Sequence, residues 1–466
     1  MKNSWRAWRI NSDASPHTKM SYVSLSDRDI KEMLAKIGVA DAEELFSSIP
    51  EDIRLNRALD TPKTLTEPEL TAYFDNLAHA NTSENYMSFL GAGAYPHIIP
   101  SVVDYLSSRG EFVSPYTPYQ AEVSQGTLQV IFEFQTLICQ LTGMDIANAS
   151  LYEGASGAAE AVLMAHRLKK KPKVLLAGML HPQYKEVIRT YTQNLGIVLE
   201  EIRYMNTGGI DQEDLRKKLE DQTSAVVIQS PNFIGVIEDL KIVSTLAHEH
   251  NALSVVVVAE PVSLGILESP GKLGADIVTG EGQSFGLPLS FGGPYLGFMA
   301  CSKDFIRQFP GRIVGETSDV EGRRGYVLTL STREQHIRRE RATSNICTNQ
   351  ALCALRATIF LETLGQDGLR ELAWSNVQKA HYAAKECGRV KGVTKKFEGA
   401  FFNEFVLSFD KPWNKIASAL RDKGIIGGLS LEPLFPELKN CALFCVTERH
   451  AKADIDKLAS ALQSAV

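Results

Sequence analysis

From about residue 170 to 300, short apolar, β-branched runs alternate with helical patterns, and this alternation constrains the fold more than any other feature. VLLAG (174–178), IVLEEI (197–202), AVVIQ (225–229), SVVVVA (254–259) and LGFMA (296–300) read as buried strands. Amphipathic segments such as EVIRTYTQNLG lie between them. Strands that are apolar on both faces and alternate with helices build βαβ units, a mostly parallel sheet with helices on either side. The expected class is α/β, and ligands of such sheets sit at the carboxyl ends of the strands.

The flanking regions have other textures. Residues 1–19 carry Arg6, Arg9 and Lys19 but no apolar run that would make a signal peptide. They read as a disordered tail or the product of a misplaced start codon. Residues 20–80 read as an N-terminal helical segment. Ser26 ahead of Asp27, Asp29, Ile30, Met33, Leu34 and Ile37 predicts a capped helix ending at Gly38. Leu70, Tyr73, Phe74 and Leu77 predict another after Pro68. Residues 81–345 read as the large α/β domain. Within it, two prolines make SPYTPYQAEVSQG a loop, and a helix carrying Val130, Phe132, Leu137 and Leu141 follows. Residues 346–466 read as a long helix, about 348–386 and interrupted near Gly365 and Gly368, leading into a small C-terminal α+β domain. That domain has the strands FNEFVLSF and CALFCVT and a last helix, ADIDKLASALQSA.

Composition removes several classes of function. Lys and Arg number 49 against 55 Asp and Glu, a net charge of −6, so no basic field exists for a phosphate backbone and no nucleic-acid partner is expected. No run reaches the roughly 20 apolar residues of a membrane span. The seven cysteines are odd in number and lack CxxC spacing. They read as reduced thiols of a cytoplasmic protein. Neither they nor the ten His cluster at ligand spacing, so no metal site is expected.

Four motifs could carry chemistry. In NASLYEGASGAAEAVLMAHR, small residues including Ser156 and Gly157 lead straight into a helix. Free amides and the helix dipole make such a turn a phosphate cradle. The same small residues equally let a helix pack close to a sheet. Glu260 follows the strand SVVVVA, where a carboxylate could pair with a protonated ring nitrogen or simply be a solvated loop charge. Gln283 lies in GADIVTGEGQSFGLPLSFGGPYLGF, a layout in which many pyridoxal-phosphate enzymes place their Schiff-base lysine. No Lys lies between Lys272 and Lys303, and a tight turn between two strands is the plainer account. Arg333, Arg338, Arg339, Arg341 and His336 form a cationic cluster that could grip a carboxylate or be a solvated face balanced by Glu334 and Glu340. No nucleophile elbow, P-loop or GxGxxG follows a strand.

At these motifs the chain resembles the glycine decarboxylase (P-protein) of the glycine cleavage system, most closely the first, or alpha, subunit of its split form. FLGAGAYPHIIP, SPYTPYQAEVSQG, FQTLICQLTGMDIANASLYEGASGAAEA, IQSPNFIGVIED, STREQHIRRERATSNICTNQAL, FFNEFVLSF and CVTERH carry the resemblance. It implies a type I pyridoxal-phosphate-dependent transferase-like fold. It also implies a chain without the covalent cofactor lysine, Gln283 standing in that place. Pyridoxal phosphate would then belong to a partner beta subunit, in a heterodimer or an α2β2 assembly. The implied reaction decarboxylates glycine and passes the aminomethyl group to the lipoyl-lysine of H-protein. The implied trans-acting candidates are Tyr95, Tyr116, Thr117, Tyr119 and Gln120, with Ser156, Gly157 and Glu260 as a remnant cofactor seat. Two other readings compete: a non-catalytic scaffold or regulatory subunit, and an autonomous pyridoxal-phosphate enzyme using Lys185 or Lys272.

Overall fold

The computed structural model describes residues 25–466 apart from 56, 116, 117, 347 and 348. The residues expected as a tail, 1–19, lie outside that range. The chain divides into two units, 1–81 and 82–466.

The first unit holds two helices, α1 (Asp27–Ile37) and α2 (Glu67–Ala80). Ser26 and Asp29 close a capping box on α1, and Gly38 ends it with a left-handed backbone at φ 92°. Thr66 and Glu69 form the same box on α2, with Pro68 in its first turn. The first helix starts and stops where its caps predict, and the second begins at Glu67, one residue before the Pro68 after which it is expected. Leu70, Tyr73, Phe74 and Leu77 of α2 are exposed.

The second unit is built on a seven-stranded sheet: β1 (Ile146–Ala147), β2 (Lys173–Ala177), β3 (Val198–Ile202), β4 (Thr223–Gln229), β5 (Leu253–Val258), β6 (Ile277–Glu281) and β7 (Gly297–Cys301). The order is β1-β7-β6-β5-β4-β2-β3. The five strands from β6 to β3 are parallel, while β7 runs antiparallel to both of its neighbours, β6 and the edge strand β1. Alternate side chains feed two different cores, as the two-residue period of a strand dictates. Val256 and Val258 join Phe134, Phe285 and Phe360 on one face. Val255 and Val257 join Val162, Leu176 and Met299 on the other. Each such side chain contributes roughly 1.5–3 kcal/mol on burial. Helices α3 (Gln125–Thr142) and α4 (Gly154–Lys169) cover opposite faces, supplying Phe134 and Val162 respectively. The small residues of α4 serve that packing, for a side chain at Gly157 would run into Thr279 of β6.

The long helix runs from Ala351 to Gly388 and is broken at Gly365, whose φ of 60° and ψ of −172° lie outside the helical range. Its first part, with Ala357 and Phe360, belongs to the core of the large sheet. Its last part, with Ala380 and Cys387, belongs to the core of a small antiparallel sheet formed by Val393–Lys395, Glu404–Phe409, Cys441–Cys445 and Leu429–Ser430. The helix is therefore shared by both cores. The chain just after residue 81 also reaches the small sheet's region, since Met87–Ser88 pairs in parallel with Ile425–Ile426.

Candidate functional site

Four parallel strands end side by side, and each delivers a polar side chain just beyond or at its carboxyl end. After β2 comes His181, β4 ends on Gln229, Glu260 follows β5, and Glu281 ends β6 with Gln283 two residues on. All five are buried. This is the place where open α/β sheets carry their ligands. Segment 91–98, GAGAYPHI, lies against it from one side. Glu404 of the small sheet and Glu448, just past its last strand, close it from another.

The contacts are dense. Gln283 Oε1 accepts from the Tyr95 amide at 2.9 Å, and Gln283 Nε2 donates to Tyr95 O at 3.0 Å and Leu287 O at 2.8 Å. The Tyr95 hydroxyl donates to Glu404 Oε2 at 2.8 Å, and Glu404 Oε1 accepts from the Ala92 amide at 2.6 Å. His97 stands between two carboxylates, with Nδ1 at 2.8 Å from Glu448 and Nε2 at 3.2 Å from Glu260. Ser284 Oγ also donates to Glu260, at 3.1 Å. The His181 amide donates to Gln229 Oε1, and its Nε2 meets Ala92 O, both at 2.9 Å.

Electrostatics follow from this burial. Burial opposes charge on His97, but Glu260 and Glu448 overcome it and push the imidazole up to about 10. Both ring nitrogens face carboxylates, so both carry protons. Burial pushes the Glu404 carboxyl up to about 8, against the bonds from Ala92 and Tyr95. Burial likewise pushes Glu281 up to about 7, against three backbone amides. Those amides are Gly154 N at 3.0 Å, Gln283 N at 3.0 Å and Leu296 N at 2.8 Å.

The residues singled out from the sequence divide into groups. Tyr95, Glu260 and Gln283 meet in this cluster. Ser156 lies at the α4 N-terminus, where both its amide and its hydroxyl donate to the capping residue Glu153. Tyr119 is elsewhere; its hydroxyl donates to Asn349 Oδ1 at 2.6 Å, and the Arg312 guanidinium stacks on its ring at 4.1 Å. Gln120 is exposed beside it. Tyr116 and Thr117 lie outside the described residues. The arginines do not act as one group: Arg333 is buried and donates to Gly311 O and Leu330 O, whereas Arg338, Arg339 and Arg341 are exposed. Lys185 is engaged by Gly178 O at 2.7 Å and Glu201 at 2.6 Å, and exposed Lys272 pairs with Glu268 at 3.1 Å.

His97, His181, Glu281, Glu404 and Glu448 were not singled out from the sequence. A signal existed for Glu281, a charge at a core-facing position two residues before Gln283 in a strand pattern. For Glu404 and Glu448 there was only their presence in FFNEFVLSF and CVTERH, because nothing in the sequence brings those strands to the large sheet.

Pyridoxal phosphate at this end of the sheet would need an amine for its aldehyde, free amides for its phosphate and a carboxylate free to meet its ring nitrogen. Here an amide side chain stands at 283, Glu281 and Glu153 take the Gly154 and Ser156 amides, and Glu260 is held by His97 and Ser284. The residues present do not fit the group.

Comparison with known proteins gives one consistent outcome. The family described as Glycine cleavage system P-protein matches residues 20–462. A Desulfitobacterium hafniense protein named "Probable glycine dehydrogenase (decarboxylating) subunit 1" is 53% identical over 444 residues, covering 95% of this chain and 99% of its own. A protein of the same name from Geobacillus thermodenitrificans is 49% identical over 442 residues, covering 95% and 98%. A crystal structure of glycine decarboxylase (P-protein) of the glycine cleavage system, in inhibitor-bound form, superposes with a TM-score of 0.87 at 43% identity, covering 96% of this chain and 100% of its own. A sphingosine-1-phosphate lyase from Burkholderia pseudomallei, with a TM-score of 0.67 at 14% identity over 90% and 94% of the two chains, shares the fold alone.

Proposed function

This chain belongs to the glycine cleavage system P-protein family, and on that premise we propose that it is the alpha subunit of a two-subunit glycine decarboxylase. The assembled enzyme removes the carboxyl group of glycine as carbon dioxide and attaches the aminomethyl carbon to one sulfur of the lipoyl disulfide on H-protein. The other sulfur is reduced to a thiol, which balances the step as an oxidoreduction. Pyridoxal phosphate supplies the electron sink for the decarboxylation, and it is carried by the beta subunit. The assembly is placed in the cytoplasm.

The observation that carries this reading is Gln283. A near full-length relative of the decarboxylase, with an amide where an amine is needed, has to work beside a chain that has the amine. In that role its own residues bind and orient. The loop holding Tyr119 and Gln120, together with Tyr116 and Thr117, offers hydroxyls and an amide to the partner's site. The exposed Arg338, Arg339 and Arg341 offer a cationic face to an acidic protein such as H-protein.

The test is glycine–bicarbonate exchange with purified chains. Exchange is expected only when this chain is mixed with a homologous lysine-bearing chain and lipoylated H-protein. Release of labelled carbon dioxide from glycine by this chain alone, or full exchange by the partner without it, overturns the proposal.

A further inference from the structure

We propose that the position a pyridoxal phosphate would take in this fold is filled by the chain's own side chains, so that the chain takes up no cofactor and uses the former seat to fix segment 91–98. The inference deepens the reading of this chain as the lysine-less subunit, and it is argued from three substitutions of protein for cofactor.

The first concerns the phosphate. The amide that opens α4, Gly154 N, points at Glu281 Oε2, and the same carboxylate collects Gln283 N and Leu296 N on its other oxygen. One side-chain carboxyl thus draws together three amides from two strand ends and a helix start, the kind of donor set that otherwise receives a phosphate oxygen. Room is lacking too: a side-chain carbon at Gly154 would run into the Tyr184 hydroxyl and lie 3.0 Å from Glu281 N.

The second concerns the ring. A carboxylate following β5 is expected to face a protonated nitrogen heterocycle. Glu260 does face one, but it is the imidazolium of His97, whose other nitrogen is held by Glu448. His97 and Glu260 are both almost fully buried, so freeing either one would leave an unpaired buried charge, which is strongly unfavourable.

The third concerns the imine. Gln283 reaches the place of the lysine and spends its amide on Tyr95 and Leu287. The second and third of these groups end on segment 91–98, and the first holds the backbone of Gln283. Tyr95 is held by Gln283 and Glu404, Ala92 by Glu404 and His181, and His97 by the two carboxylates. Gly91 and Gly93 let this backbone come close, since a side-chain carbon at Gly91 would lie 2.5 Å from Glu404 Oε1 and one at Gly93 2.8 Å from His181 Nε2.

The experiment uses the full chain without partner or glycine, so its outcome is independent of whether the assembled enzyme turns over. Pyridoxal 5′-phosphate at micromolar concentration is offered in equilibrium dialysis, and borohydride-treated protein is mapped by peptide mass spectrometry. No saturable uptake is expected for the wild type, and no pyridoxyl label at position 283 for Gln283→Lys; saturable uptake by the wild type, or label at 283 in that variant, overturns the proposal. Hydrogen exchange supplies a second readout that does not depend on how well Gln283→Lys folds. In Gln283→Ala, exchange of the 91–98 amides should rise at least about tenfold more than that of the β4 and β5 amides, equivalent to 1.4 kcal/mol of local opening beyond the global loss of stability. Unchanged exchange in 91–98, or equal acceleration everywhere, overturns the fixing role.

Discussion

Gln283 and Tyr95, 188 positions apart in the chain, exchange a pair of hydrogen bonds as two neighbouring strand residues would: the side-chain oxygen of one accepts from the backbone amide of the other, and the side-chain nitrogen donates to its carbonyl. The amide side chain imitates a stretch of backbone, and a third bond to Leu287 O completes its donors.

Truncating that side chain leaves buried backbone groups of Tyr95 and Leu287 without partners. Gln283→Ala is expected to destabilise the chain by about 3 kcal/mol, read as a lowered urea midpoint with an unchanged slope. A midpoint equal to that of the wild type would show that the pairing contributes nothing.

The two carboxylates around His97 give a signed pH dependence. Its folded value is raised from 6.5 to about 10. The stabilisation it supplies is therefore fully present below 6.5 and is lost as pH rises through 10. In histidine-labelled protein the His97 Cε1 resonance should keep its imidazolium position at neutral and mildly alkaline pH. A neutral-ring shift at pH near 7 would contradict the arrangement.

Glu404 gives the same sign of pH dependence from a different cause. Burial raises its carboxyl from 4.5 to about 8, so the folded state loses stability as pH rises between those values. Glu404→Gln keeps the shape and removes the titration. Its stability relative to the wild type should improve steadily from mildly acid to mildly alkaline conditions, as measured by paired urea titrations. A constant difference would show that Glu404 does not titrate there.

Gly93 combines a backbone at φ +99° with a neighbour, His181 Nε2, only 2.8 Å from where a side-chain carbon would sit. Gly93→Ala is therefore strained twice over and should cost roughly 2 kcal/mol or more. Gly110→Ala, which has open space around it, serves as the control in the same thermal melts.

Much of this architecture was legible beforehand, and for a physical reason. Strands such as LSVVVV are buried on both faces, so their composition alone marks them, and the caps at Ser26 and Gly38 mark helix ends by local hydrogen bonding. The short strand IVTGE was harder, because two of its five residues, Gly280 and Glu281, do not read as strand formers. The direction of LGFMA was also not encoded locally: apolar content makes it a strand, but only the turn after Gln283 makes it antiparallel to its neighbour. The site was legible in part. Glu260 follows a recognisable strand, whereas Gln283 became a candidate through a loop layout that in many pyridoxal-phosphate enzymes holds a lysine. That Glu260 faces His97, and that Glu404 and Glu448 come over from the C-terminal sheet, depends on contacts between residues 163, 309 and 351 positions apart, which no local pattern records.

Those spans bear on how the molecule is made. Synthesis proceeds from the amino terminus, and the large sheet is complete in the nascent chain well before the last strand leaves the ribosome. Segment 88–98 must wait longer, because Ser88 meets His450, Ala92 meets Glu404 and His97 meets Glu448. A translation product stopped short of residue 450 would carry a finished sheet with a row of buried-type polar groups still exposed, a ready substrate for chaperones and proteases.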